Sequence, residues 1–340
     1  MAEAGYDAVL LVSFGGPEGP DDVMPFLENV TRGRGVPRER LLEVAEHYHH
    51  FGGVSPINGQ CRDLLAALRA DFAGAGLDLP FYWGNRNWHP LLPDTLREMA
   101  ADGVRNALAF VTSAYQSYSS CCVYLEDIER ARAEVGPDAP AVAKLRPFYD
   151  HPGFIEPMVR LTREQLLDLP AADRAAARLV FVAHSIPTSM AEASGPSGGA
   201  YPAQVHEAAR LVAEAVGGHD WDVAWCSRSG SPSQPWLEPD VCDHLVELRD
   251  KGVRSVAIVP VGFVSDHMEV IYDLDTEALD KAAELGMSAV RVPSVGVAPE
   301  FVAMVRELVH ERLDPSTPRR SLGRLGPAAD KCAPGCCRAK

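Results

Sequence analysis

At 340 residues, with 46% hydrophobic and 23% charged side chains, the chain has the make-up of a soluble globular protein, long enough for one large α/β unit or two related lobes. A formal net charge of −15 excludes a general nucleic-acid or anionic-membrane surface, because an acidic protein repels both. No apolar run approaches the roughly 20 residues that span a bilayer.

The N-terminal run Asp7–Phe14 reads directly as a strand and lacks the basic head and cleavage site of a signal peptide, so a cytoplasmic location is expected. Strand-like runs follow in chain order at Ala8–Ser13, Pro80–Trp83, Asn106–Thr112, Leu179–His184, Asp222–Cys226, Ser255–Val261 and Ala289–Val292. Between them lie amphipathic segments such as Arg38–His49, Cys61–Ala73, Tyr124–Glu134, Pro152–Asp168, Pro202–Ala215 and Pro299–Leu313. The alternation predicts βα units around parallel sheets. DAVLLVSFGGP near residue 7 echoes ARLVFVAHSIP near residue 177, each a strand running into a Pro-ended loop. The expected fold is α/β, with two similar Rossmann-like lobes and a cleft between them. The lobes are placed at 1–170 and 171–313, with a tail at 314–340; the last helix has the option of crossing back over the first lobe.

Two strand ends carry candidate chemistry. Val256–Val261 feeds a Gly-Phe turn, and Ser265 or Asp266 is a candidate N-cap for the helix that follows. On that helix Glu269, Asp273 and Glu277 fall at i, i+4 and i+8, on one face. Like charges at that spacing repel by a few tenths of a kcal/mol per pair, so the row points to cation or proton transit, with a solvated acidic face as the alternative. His184 ends the strand Leu179–His184, where open α/β sheets place their ligands. Imidazole moves protons near neutrality and binds metals, although a lone histidine is more often structural. Imidazole and carboxylates at two strand ends together favour a joint site.

The eight cysteines are unevenly placed: Cys61, Cys226 and Cys242 are scattered, Cys121 and Cys122 adjoin, and Cys332, Cys336 and Cys337 crowd the last ten residues. The tail from Asp314 is rich in Pro, Gly and Arg and would be read alone as disordered. In a chain without export signals, clustered thiols favour a metal centre that ties the tail down.

Six segments resemble the ferrochelatases: LLVSFGGP (Leu10–Pro17), HFGGVSPIN (His50–Asn58), GNRNWHP (Gly84–Pro90), FVAHSIP (Phe181–Pro187), SRSGSPSQPWLEP (Ser227–Pro239) and PVGFVSDHMEVIYD (Pro260–Asp273). The resemblance covers about residues 5–313 in the family's order. It implies insertion of Fe²⁺, as substrate, into a porphyrin, with pyrrole protons removed and the metal stripped of water. It places His184 facing the ring centre and Glu269 on the opposite wall, so that imidazole and acid converge from separate halves. Asp273 and Glu277 would extend a path to Glu269. Ser55 and Tyr124 resemble porphyrin-binding positions, and Arg32 and Arg34 resemble a propionate-facing lip. Phe14 stands where some bacterial members carry a metal-ligating tyrosine, so packing against the macrocycle is expected instead.

Some members of the family hold a [2Fe–2S] cluster, and the resemblance assigns it here to Cys121 (with Cys122 in reserve), Cys332, Cys336 and Cys337. Structural zinc or free thiols are the alternatives. Members with that cluster resemble enzymes acting on coproporphyrin III, which implies Fe-coproporphyrin III (coproheme) as product and a decarboxylase and an iron donor as partners. Protoporphyrin IX is the alternative substrate. A non-catalytic porphyrin carrier, a sirohydrochlorin chelatase and a bare iron–sulfur scaffold are the competing classes.

Overall fold

A computed structural model describes residues 5–33, 35–229, 233–333 and 335–337. Arg34 lies outside the described residues. The chain divides into two compact units. The first holds the chain up to Thr112 with Val123–Leu145 and Val305–Thr317; the second holds Ser113–Cys122, Arg146–Met304 and the tail from Pro318. The boundary expected near residue 170 therefore falls at Leu145–Arg146. Helix Pro152–Leu166 packs on helix Ala200–Val216, which draws it into the second unit.

In the first unit β1 (Ala8–Ser13), β2 (Phe81–Asn85), β3 (Asn106–Val111) and β4 (Ala141–Lys144) form a parallel sheet in the order β2-β1-β3-β4. In the second, β5 (Arg178–His184), β6 (Trp221–Cys226), β7 (Ser255–Val259) and β8 (Ser288–Arg291) repeat that order as β6-β5-β7-β8, again all parallel. The echo between residues 7 and 177 is thus an echo between β1 and β5, the equivalent strands. Parallel strands are covered on both faces and read as unbroken apolar runs. Leu179, Val180, Phe181, Val182 and Ala183 are all fully buried. β4 escapes the sequence because AVAK is four residues long, ends on Lys and lies at a sheet edge.

The chain reverses its strand order beside β5, and ligands of such sheets bind outside the carboxyl ends at that switch point. His184 is the last residue of β5. The segment leaving β7 crosses against it: the Gly262 N–H donates to the Val182 carbonyl at 3.0 Å. A Cβ on Gly262 would fall 2.5 Å from the Ala183 Cα, so only glycine allows this approach one residue before His184.

The described residues of the tail form no helix or strand, yet ordinary bonds fasten it to the second unit. Arg146 Nη2 donates to the Arg320 carbonyl (2.9 Å), the Leu322 N–H to the Asp150 carbonyl (2.9 Å), Ser321 Oγ to Asp150 Oδ2 (2.5 Å) and the Arg324 N–H to Glu207 Oε1 (2.5 Å). Composition alone points to disorder here; the buried Arg146 and Asp150 that anchor the tail are distant in sequence. Among the described residues no helix is long and apolar enough to cross a membrane.

Candidate active site

His184 and Glu269 meet within the second unit. The His184 Nε2 lies 3.7 Å from Glu269 Oε2, and both side chains remain partly open, at 35% and 47%. The expectation that they come from separate halves and face each other across the substrate is therefore corrected. A flat aromatic macrocycle needs about 3.5 Å to the atoms on either side, so about 7 Å between flanking groups. At 3.7 Å nothing of that thickness fits between the two groups.

The imidazole has a defined tautomer. His184 Nδ1 is hydrogen-bonded to the Ser185 carbonyl, which can only accept, so Nδ1 carries a proton and in the neutral ring the lone pair lies on Nε2. Nε2 and the Glu269 carboxylate are then two acceptors with a gap between them that a proton or a cation can bridge. Metal–nitrogen and metal–oxygen bonds of about 2.1 Å reach across up to about 4.2 Å, so 3.7 Å is within the span of one ion.

The acids do not sit on a plain α-helix. Met268–Val270 is α-helical, but Ile271–Ala278 is π-helical, a wider turn found preferentially at functional sites. Neither Ser265 nor Asp266 caps it: the cap position is His267, and Asp266 instead accepts from Arg291 (2.9 Å) and the Ser294 N–H (3.2 Å). Glu269 and Glu277 are exposed, while Asp273 is half-buried and accepts a hydrogen bond from the Ser227 hydroxyl. Burial pushes Asp273 up to about 7, with Glu269 and Glu277 adding to the rise and Ser227 and His184 opposing it. Burial also raises Glu277, and Asp240 adds to it. The half-buried His267, between Asp266 and the acid row, is held below its ordinary range by burial.

The raised carboxyl of Asp273 has a stability signature. Below its ordinary value of 3.8 it is protonated folded or unfolded; between there and about 7 only the folded protein keeps the proton. Folding stability therefore declines as pH rises to about 7, by on the order of 4 kcal/mol from this group. Asp273→Asn is expected to raise Tm over the unmodified protein more at pH 8 than at pH 5. Equal gains at both values, in thermal melts across that range, would contradict the assignment.

Ser227 and His267 were not singled out from sequence. Ser227 closes β6 with φ 61°, a left-handed conformation unusual for serine, and its contact with Asp273 is set by tertiary approach. His267 stands two residues before Glu269, where its proximity was legible.

The other expected porphyrin residues belong to the first unit. Phe14 packs edge-on against Phe26 (6.2 Å) and under the Arg86 guanidinium (5.7 Å). Tyr124 is 6% exposed and its ring is covered by Arg86 at 4.6 Å, so it packs within the unit. Ser55 is also buried, against Gly16, where a Cβ would fall 2.8 Å from the Ser55 Oγ. Arg32 is exposed.

The cysteines of the tail meet the internal pair in the second unit. Cys122, Cys336 and Cys337 pack together with Cys332 and Tyr118 beside them. The Cys336 and Cys337 sulfurs are 3.5 Å apart, and the Gly195 N–H donates to Cys337 Sγ at 3.1 Å. The Cys121 thiol faces the Tyr115 carbonyl (3.6 Å). Burial pushes Cys336 up to about 11 and raises Cys337, with Cys121 adding to both and Cys122 to Cys337. Among the described residues none of these cysteines is in a disulfide, and no preformed group of three metal-ligating side chains exists.

The ferrochelatase family model matches residues 6–313. This chain belongs to the ferrochelatase family. The ferrochelatase is 55% identical to a coproporphyrin III ferrochelatase of Streptomyces coelicolor, over 98% of this chain and 94% of that one. It is 56% identical to a coproporphyrin III ferrochelatase of Nocardia farcinica, over 97% and 96%. Among solved structures it resembles SirB from Bacillus subtilis with Fe³⁺, at a TM-score of 0.57 and 13% identity, covering 91% of this chain and 98% of SirB. That likeness shows a shared chelatase-type fold, and the α/β reading of this ferrochelatase stands.

Proposed function

We propose that this ferrochelatase inserts Fe²⁺ into coproporphyrin III, giving Fe-coproporphyrin III (coproheme) for haem synthesis in the cytoplasm. The observation that carries the reading is the 3.7 Å pair of His184 Nε2 and Glu269 Oε2 at the carboxyl end of β5. Insertion displaces two pyrrole protons: His184 Nε2 accepts each in turn and passes it on to the carboxylates of Glu269 and Asp273, and the nearby Glu269 carboxylate stabilises the imidazolium between transfers. Asp273 and Glu277 supply hard oxygen donors on the way to Glu269, suited to a cation shedding water. Two protein ligands hold an ion loosely, which suits a metal that must leave for the macrocycle.

The choice of porphyrin is supported by the names of the relatives at 55% and 56% identity. Coproporphyrin III carries four propionates, which guanidinium groups match well, and Arg32 is exposed. The product keeps those propionates, so a decarboxylase must act next, and an iron donor must supply the ion. Feeding Fe²⁺ with coproporphyrin III or protoporphyrin IX and comparing kcat/KM decides the substrate: preference for coproporphyrin is expected, and preference for protoporphyrin would overturn the choice.

For the tail we propose a [2Fe–2S] cluster held by Cys332, Cys336 and Cys337 with Cys121, or with Cys122 in its place. Three tail thiols packed against an internal pair, with a backbone N–H already directed at one sulfur, fit the thiolate set such a cluster takes. When bound it supplies a covalent cross-link from tail to body. Alanine at the internal ligand is expected to bleach the visible bands of the purified protein, and alanine at its neighbour to leave them. Bands that survive Cys336→Ala and Cys337→Ala would exclude the cluster.

A further inference from the structure

The buried hydroxyl of Tyr201 reaches the residue on which the proposed chemistry depends. Tyr201 Oη donates to the His184 main-chain carbonyl at 2.8 Å. That carbonyl belongs to the peptide plane joining His184 to Ser185, whose N–H donates to the Cys226 carbonyl at 2.8 Å on the neighbouring strand. The plane is therefore held at both its polar atoms. The imidazole in turn bonds to the next carbonyl, that of Ser185. Ring orientation thus follows from two successive peptide planes, and Tyr201 fixes the first.

The ring of Tyr201 leaves the phenol little freedom. It is 4% exposed and packs edge-on against Tyr115 (5.9 Å) and tilted against Trp225 (5.8 Å). Burial keeps the phenol protonated, so it remains a donor.

Its backbone is tied in the other direction. Tyr201 lies in the first turn of helix Ala200–Val216, whose cap residue Gly199 has no side chain to satisfy the free N–H groups. Ser194 does so instead: its Oγ accepts from the Tyr201 N–H (2.8 Å) and its carbonyl from the Ala200 N–H (3.0 Å). The next residue, Gly195, donates its N–H to Cys337 Sγ (3.1 Å). Gly195 has φ +76°, and a Cβ there would strike the Ala200 Cβ at 2.3 Å, so the loop is closely fitted to the helix start. Cys337, Gly195, Ser194, Tyr201 and His184 form one continuous run of contacts inside the second unit.

We infer that Tyr201 is a positioning residue for His184, and that the docking of Cys337 bears on the imidazole through the Ser194–Tyr201 turn. The inference rests on the proposed role of His184. A packing role alone would require only the ring of Tyr201; positioning requires the hydroxyl.

Tyr201→Phe keeps the ring and removes the hydroxyl. In the full chain as purified, kcat for iron insertion is expected to fall about tenfold while KM for the porphyrin stays within about twofold, the pattern of a misplaced reacting group. Amide hydrogen exchange over residues 184–195 is expected to quicken, in protein stripped of iron as in protein as purified. Cys337→Ala is expected to give the same quickening, and the two changes combined no more than either alone. Unchanged kcat and unchanged exchange in Tyr201→Phe would overturn the positioning role. Multiplicative effects in the double variant would overturn the link to Cys337. Loss of turnover in His184→Ala with full turnover in Tyr201→Phe defeats this inference only; full turnover in His184→Ala defeats the site reading beneath it.

Discussion

Replacing His184 with alanine is expected to stop iron insertion while leaving porphyrin binding and folding intact. The imidazole is the proposed acceptor of a pyrrole proton, and its Nδ1–H bond to the Ser185 carbonyl leaves Nε2 as the basic atom. Loss of a positioned general base costs on the order of 10²–10⁴-fold in rate. The side chain is one-third exposed, so little packing is lost and the change in stability should stay within about 1 kcal/mol. The check is anaerobic turnover with Fe²⁺, with fluorescence quenching for porphyrin affinity and thermal melts on the same sample. A variant that binds porphyrin normally and still inserts iron at more than about a tenth of the original rate contradicts the role.

Glu269→Gln tests the other member of the pair. The substitution is isosteric and removes one negative charge at a partly open position, so the fold should be unaffected. One charge fewer beside Asp273 should even relieve repulsion by a few tenths of a kcal/mol. What disappears is the proposed partner of the imidazolium and the proposed ligand for the incoming ion. Insertion is expected to fall by about 10²-fold or more, with porphyrin affinity unchanged. This result separates an enzyme from a carrier. A carrier binds porphyrin equally with either residue and has no insertion rate to lose, whereas an insertion rate unchanged by the substitution would remove Glu269 from the mechanism.

The sheets were legible because their central strands are apolar on both faces: β1, β5 and β7 read as unbroken runs, and the match between the strand ends at Phe14 and His184 already betrayed the repeated topology. The site was half legible. Strand-end position and residue type picked out His184 and Glu269, and i, i+4, i+8 spacing picked out the acid row. The 3.7 Å approach of the pair was not legible, since it depends on the crossing that Gly262 permits, and no local period records it. The π-helical turn was invisible for a similar reason: Ile271–Ala278 contains no residue that distinguishes a wide turn from an α-helix. The burial of Tyr124 and Ser55 has no local signal: Arg86 covers one and Gly16 is pressed against the other, contacts 38 and 39 positions away along the chain. The tail misleads by composition, because its anchors Asp150, Glu207 and Arg146 lie far upstream.

The most direct measurement is a crystal structure of the chain with coproporphyrin III bound. His184 Nε2 and Glu269 should both lie on one side of the macrocycle and face its four central nitrogens. Finding the two side chains on opposite sides of the ring, or turned toward separate cavities, would contradict the account.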